Sequence, residues 1–266
     1  MVSNAKEIVS AAPRRRELAR LVTQRGFVRV ADASLELGVS EVTIRGDLRS
    51  LEEAGALVRV HGGAMPVLAD RESSLETSLD KDAPAKAAIG TAAARMVSSG
   101  ESIYVDAGST AMALALALVD RHDLHDLVVV TPGLTIALAL EPALSRFTVI
   151  VTGGTLRPLQ HSLVNPFAAP MLDSLNLDTA FIGCNGVDAR AGVTNVNLPE
   201  AEIKTHVIAR SRRSVVLADA SKLGRIDLAR IAPISAFHTL VTAGAAPVGL
   251  DEALLAEGMN VARVEP

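Results

Sequence analysis

Residues 14–63, RRRELARLVTQRGFVRVADASLELGVSEVTIRGDLRSLEEAGALVRVHGG, constrain this chain more than any other stretch. Leu18, Leu21 and Val22 recur at i, i+3 and i+4, one apolar stripe on a helix that follows Pro13, runs to about Gln24 and ends at Gly26. Phe27, Val28 and Val30 lead into a second, short helix over residues 31–37. Gly38 permits a sharp turn, and Ser40 is a good N-cap for a third helix. Beyond Gly55, Leu57-Val58-Arg59-Val60 is strand-like and His61-Gly62-Gly63 is a turn. Helix, short helix, turn, third helix and hairpin, in that order, predict a winged helix-turn-helix, whose third helix enters a DNA major groove.

Laid out at 100° per residue, the third helix places Ile44, Leu48 and Leu51 in one narrow sector that must face a core. The opposite sector receives Val42, Arg45, Gly46, Arg49 and Glu53, with Thr43 and Ser50 on its flank. Arginine pairs bidentately with guanine, and an apolar side chain meets a thymine methyl. Gly46 costs roughly 1 kcal/mol relative to Ala inside a helix, a cost tolerable if its missing side chain lets DNA approach closely. Arg59 and His61 could reach phosphate or the minor groove from the hairpin. The expected DNA-binding set is therefore Ser40, Val42, Thr43, Arg45, Gly46, Arg49, Arg59 and His61. The competing interpretation is a solvated amphipathic helix with incidental arginines, which fits the helix alone but not the whole ordered pattern.

Composition enters as a check. With 266 residues, 49% hydrophobic and 21% charged, the chain has material for a sizeable core and is not a disordered sequence. Its net charge of −4 hides a split. Residues 1–64 hold ten Lys/Arg against eight Asp/Glu, and the remainder sixteen against twenty-two. A mildly basic head on an acidic body suits a protein whose body should avoid DNA. One cysteine excludes an internal disulfide framework. Uncharged runs such as residues 159–172 fall short of a membrane span, and the N-terminus lacks a signal-type apolar core, so a cytoplasmic protein without a membrane partner is expected.

Residues 65–84 lose hydrophobic periodicity and read as a linker, with room for one helical turn. From there strand-like runs at 102–105, 127–130, 147–152, 179–183, 214–218, 238–242 and 260–264 alternate with helical patterns such as 87–97, 110–119 and 200–211. That alternation predicts an α/β domain with a mostly parallel sheet over residues 85–266, after a winged helix-turn-helix over 1–64 and the linker. Ligands of such sheets bind at the carboxyl ends of strands. Asp106-Ala107-Gly108-Ser109-Thr110 follows the first strand and opens a helix, where free amides, two hydroxyls and the helix dipole favour phosphate. Thr131-Pro132-Gly133 repeats that logic, and Gly153-Gly154-Thr155-Leu156-Arg157 adds a flexible turn with a cation. Lys204 and Lys222 lie downstream. Residues alone leave an anion site and plain turn chemistry about equally open.

These words resemble the DeoR family of bacterial transcriptional regulators along nearly the whole chain. In the head the match rests on Leu37-Gly38-Val39-Ser40, Thr43-Ile44-Arg45-x-Asp47-Leu48, Leu51-Glu52 and Arg59-x-His61-Gly62-Gly63-Ala64. Family members usually carry a second arginine where this chain has Gly46. In the body it rests on Asp106-x-Gly108-Ser109-Thr110, Gly153-Gly154-x-Leu156-Arg157, Gly183-x-x-Gly186-Val187-Asp188, Glu200-Ala201-x-x-Lys204 and Asp219-x-Ser221-Lys222-x-Gly224. The resemblance implies an effector domain similar in fold to ribose-5-phosphate isomerase and the CoA-transferase group, sensing a phosphorylated sugar or related metabolite. The expected effector-binding residues are Asp106, Gly108, Ser109, Thr110, Thr131, Gly133, Gly153, Gly154, Arg157, Asn185, Glu200, Lys204 and Lys222.

The alternative is a phosphosugar-isomerising enzyme, which needs a base and a polarising group. Gly183-Cys184-Asn185-Gly186 places an amide and a glycine where the isomerases align acidic residues, and Asn185 cannot accept a proton as a base. Glu200 and Lys204 stand at the spacing of an ordinary helix salt bridge. A third class, a constitutive architectural DNA binder, would have an empty or collapsed body pocket. Cys184 has no evident base beside it and reads as a small buried residue. His122 and His125 have metal-like spacing without an accompanying ligand set, so no metal is expected. Neither G-x-G-x-x-G nor a P-loop occurs, so no cofactor is expected. The sequence thus leads to a non-enzymatic repressor of a carbohydrate operon. Its partners would be double-stranded operator DNA, a sugar phosphate, and a second copy of itself in a dimer or tetramer.

Overall fold

In the computed structural model, which describes residues 11–25, 28–53, 56–60, 62–66 and 73–266, Leu18, Leu21 and Val22 are buried as their spacing required. They lie on α1 (Ala11–Arg25), which begins two residues ahead of Pro13. Proline fits there because first-turn amides have no helical partner to lose. Val28 and Arg29 form a short strand, β1 (Val28–Arg29), rather than a lead-in to the next helix. Then come α2 (Val30–Leu37) and α3 (Glu41–Glu53), joined through Gly38 at φ 66°, a left-handed turn that glycine adopts without strain. Strands β2 (Leu57–Val60) and β3 (Gly63–Pro66) close an antiparallel sheet of order β1-β3-β2. Ile44 and Leu48 of α3 are buried against Leu18, Leu21 and Leu57, with Leu51 partly buried beside them. Gly26, Phe27, Gly55 and His61 lie outside the described residues.

The chain divides into two compact units, Met1–Arg71 and Glu72–Pro266. Within the stretch that reads as a linker, Met65 and Pro66 complete β3, and the second unit opens with α4 (Leu75–Asp80) and α5 (Ala83–Ala94). There follow β4 (Ser102–Val105), α6 (Ser109–Val119), β5 (Leu127–Thr131), α7 (Leu134–Ala139) and β6 (Phe147–Val151). A hairpin, β7 (Thr155–Arg157) and β8 (Ser162–Val164), precedes α8 (Ala168–Asp173) and β9 (Leu177–Gly183). Two short strands, β10 (Gly186–Asp188) and β11 (Gly192–Asn195), lead into α9 (Leu198–Ala209) and β12 (Ser211–Asp219). The chain ends with β13 (Ala229–Ala232), β14 (Thr239–Ala243), α10 (Leu250–Ala256) and β15 (Asn260–Val264).

Seven strands form one parallel sheet in the order β15-β14-β12-β9-β4-β5-β6. Its strands are apolar on both faces because both are covered. Tyr104, Ile182, Val216 and Leu240 point into a core with α8, α9 and α10, whereas Ile103, Val105, Phe181 and Val241 point into another with α5, α6 and α7. All seven expected strands are present, with ends moved by three residues at most. From β4 the chain first builds outward through β5 and β6, then returns to the other side of β4 with β9. The carboxyl ends of β4 and β9 therefore flank the point where strand order reverses, and a crevice opens there.

Candidate functional site

The reading face of the head follows from how α3 is held. Ser40 caps the helix, its Oγ accepting from the Thr43 amide at 3.2 Å. Asp47, one turn beyond, is buried and accepts from Arg14 Nε at 2.5 Å and Arg15 Nε at 3.1 Å, which fixes α3 to α1. With Ile44, Asp47 and Leu48 inward, Val42, Arg45, Gly46 and Arg49 are exposed. Val42 keeps 76% of its surface in solvent, an unusual position for a valine with no partner to meet. A Cβ on Gly46 would touch nothing within 4 Å, so the head's own packing does not demand glycine there. Arg45 rests on Glu41 at 2.7 Å, an exposed pair that a phosphate or guanine could replace. Arg59 is exposed on β2, its amide donating to Glu52 of α3 at 3.0 Å, so wing and recognition helix are tied together. Asp47 carries the orientation of the whole face, and only its place in a motif marked it in the sequence.

In the body, a cleft of about 200 Å³, counting space open to solvent, lies among the carboxyl end of β4, the turn after β5, the β8 arm and α9. Asp106, Ala107, Pro132, Ser162, Glu200 and Lys204 line it, backed by Tyr104 and Ile203. Asp106 leaves the end of β4 and accepts from the Ala107 and Gly183 amides, each at 2.9 Å. Lys204 reaches it from α9 at 3.0 Å and donates also to Gly183 O at 3.0 Å and Asn195 Oδ1 at 3.2 Å. Glu200, one turn earlier on α9, turns elsewhere. It takes hydrogen bonds from Arg157, from Ser162 at 2.7 Å and from Asn195 Nδ2 at 3.4 Å. The helix salt bridge that the Glu200–Lys204 spacing allows is thus replaced by two separate pairs.

Charge within the cleft is matched. Burial alone would lower the Lys204 ammonium, but the carboxylates of Asp106 and Glu200 outweigh it and hold Lys204 above its ordinary value. Burial would raise Glu200, yet Lys204, Arg157 and the Ser162 hydroxyl hold it below. Burial, with Glu200 nearby, holds Asp106 above its ordinary value against the pull of Lys204. A lysine held above and a carboxylate held below the ordinary value suit charge pairing better than proton transfer. Just after Asp106 and Ala107, α6 begins at Gly108 with no side chain capping it, so its first amides lack a helical partner.

The other expected residues fall into two groups. Thr131 is buried at the end of β5, its Oγ1 accepting from the Gly133 amide at 3.1 Å, and that turn packs beside Ala107. Arg157 joins the cleft through Glu200. Of the expected effector residues, Asp106, Glu200 and Lys204 line it, whereas Gly108, Ser109, Thr110, Thr131, Gly133, Gly153, Gly154, Arg157, Asn185 and Lys222 do not. Gly154 serves geometry, since a Cβ there would lie 1.8 Å from Val164 O at φ 140°. Asn185 Oδ1 accepts from the Val196 amide at 3.0 Å, which braces the loop after β9. Burial pushes the Cys184 thiol up to about 12, far from a nucleophile's range. Among the described residues no group of three His, Cys, Asp or Glu is placed for a metal, and no helix is long and apolar enough to cross a membrane. Tyr104, Ser162 and Asn195 were not foreseen. The one tyrosine of the chain, inside a run that reads as a buried strand, was the available signal for the first.

Residues 14–67 match the DeoR-like helix-turn-helix domain, and residues 81–243 match the DeoR C terminal sensor domain. The chain belongs to the DeoR family. The HTH-type transcriptional regulator GlpR of Haloferax volcanii is 33% identical over 94% of this chain and 96% of its own length. The putative aga operon transcriptional repressor of Escherichia coli O157:H7 is 30% identical over 97% of this chain and 96% of its own. This DeoR-family protein is therefore a DNA-binding transcriptional regulator with a small-molecule sensor domain, and the isomerase alternative finds no support among its relatives.

Proposed function

We propose that the protein represses a carbohydrate-metabolism operon and that a phosphorylated sugar or related metabolite, bound in the cleft at the end of β4 beside α9, changes its operator affinity. The observation that carries this reading is a cleft lined by the Asp106–Lys204 pair, Glu200 and Ser162, next in sequence to the start of α6, which no side chain caps. The α6 amides and dipole suit a phosphate. The carboxylates of Glu200 and Asp106 and the Ser162 hydroxyl suit sugar hydroxyls, which donate and accept in turn. Lys222, Asn185, Gly153 and Gly154 would support the cleft rather than touch the ligand. The relative named as a putative aga operon repressor supports the repressor part of the reading. Helix-turn-helix readers grip symmetric half-sites as pairs, so the active species is a dimer or tetramer.

Operator binding at fixed salt, with DNA from upstream of the protein's own gene and a panel of sugar phosphates, tests the reading. A ligand that shifts affinity at least tenfold bears it out; specific binding that no sugar phosphate alters overturns the sensing half. Arg157→Ala is a cleaner probe of the cleft than Lys204→Ala, which would leave Asp106 buried without its cation and destabilise the fold. Arg157→Ala is expected to keep specific operator binding and to require at least tenfold more ligand for the same response.

A further inference from the structure

The hairpin of residues 155–164 touches two things at once. On one side Arg157 and Ser162 both bond Glu200 inside the cleft. On the other, its apex holds the first residues of the sensor unit. Leu159 O accepts from the Leu75 amide at 2.9 Å, Gln160 Nε2 donates to Ser73 O at 2.7 Å, and His161 Nε2 meets Glu76 at 3.3 Å. Those residues start α4, immediately after the segment that in sequence leads from the DNA-reading unit. The far end of α4 is anchored differently: the Lys86 ammonium of α5 takes the carbonyls of Ser78 and Lys81. Helix α4 is thus pinned to the sensor core at its carboxyl end and to the hairpin at its amino end. The β8 arm is also fixed by backbone, Leu163 N to Pro132 O at 2.8 Å and Leu134 N to His161 O at 2.9 Å. Arg157, on the β7 arm, ties the hairpin to α9 through a side-chain ion pair.

We infer that this hairpin is a latch that reports occupancy of the cleft to the start of α4. The inference deepens the sensing role proposed above. Glu200 occupies Arg157 and Ser162 in the manner an anionic ligand would. A ligand competing for those two groups frees the β7 arm from α9, and the hairpin carries residues 73–76 with it while Lys86 acts as the pivot. Only a group that exchanges partners between the two states can shift such an equilibrium, and Arg157 with Glu200 meets that condition.

The coupling is measurable without any effector, so its failure is separable from that of the sugar-phosphate reading. Hydrogen exchange of the full chain is compared for wild type, Ser162→Ala and Glu200→Gln, with Arg263→Ala, a remote break of the Arg263–Asp251 pair, as the control for general loosening. Exchange is expected to rise about tenfold in residues 155–164 and also in residues 73–80 of the first two variants, and in neither segment of the control. Operator affinity of Ser162→Ala is expected to shift at least threefold with no sugar phosphate present. Wild-type exchange in residues 73–80 despite a loosened hairpin would overturn the latch, as would unchanged operator affinity. Ser162→Ala removes a single hydroxyl, so it keeps the test open if Glu200→Gln does not fold.

Discussion

Glu200 shows how one side chain can be both part of a binding site and part of the fold. Its carboxylate is held below the ordinary value chiefly by Lys204 and Arg157 against the opposing effect of burial. A depressed folded-state pKa stabilises fully above the unfolded value and is lost as pH falls through the folded one. The stability difference between wild type and Glu200→Gln should therefore be largest above about pH 5 and narrow below about pH 4, read from thermal melts across that range. Arg45 belongs to the same scale. Among the described residues it pairs with the exposed Glu41, so its loss should leave the head folded. Arg45→Ala is expected to cost about 1–3 kcal/mol of specific binding and to relax base preference at one position per half-site, measured by titration against substituted operators.

Elements are decided by how side chains tie them together. Recognition helix α3 depends on Asp47, which is buried between Arg14 and Arg15 of α1. Asp47→Asn should destabilise the head by about 3 kcal/mol, because it leaves Arg14 buried beside a neutral group, and a melt of the head unit would show it. Gly46 is the opposite case, open on all sides. Gly46→Arg should stabilise α3 by about 1 kcal/mol and steepen the salt dependence of DNA binding by about one phosphate contact. Unchanged salt dependence would place Gly46 off the DNA. In the body, Gly154 permits β7 to pass Val164. Gly154→Ala should cost about 2 kcal/mol or more and loosen the hairpin, since alanine suits neither the space nor φ 140°.

At the scale of the molecule, two features determine function. One is the reversal of strand order between β4 and β9, which brings Asp106 and Gly183 within 2.9 Å and makes a crevice for which neither loop alone would suffice. The other is the division into two units whose cores share no residue. Calorimetry should accordingly resolve two unfolding transitions, the upper of which rises when a sugar phosphate of the panel binds.

Local periodicity determined much of this in advance. Leu18, Leu21, Val22, Ile44 and Leu48 declared their burial by spacing, and the seven sheet strands declared themselves as apolar runs between turn residues. Those properties depend on neighbours within a few residues, and sequence records such neighbours directly. The short hairpin β7–β8 and the strands β10, β11 and β13 were not legible, because runs of three or four residues have too little period to stand out. Three charged residues of the cleft, Asp106, Glu200 and Lys204, were legible too, whereas the turn glycines and Lys222 expected beside them do not line it. The pairing of those charges was not legible. Glu200 and Lys204 stand one turn apart and would be read as partners, yet Lys204 meets Asp106 across 98 positions of chain and Glu200 meets Arg157 across 43. Sequence fixes which charges are present and which helical face carries them. Which charges meet depends on which strand ends the sheet brings side by side, and that order exists only in the folded chain.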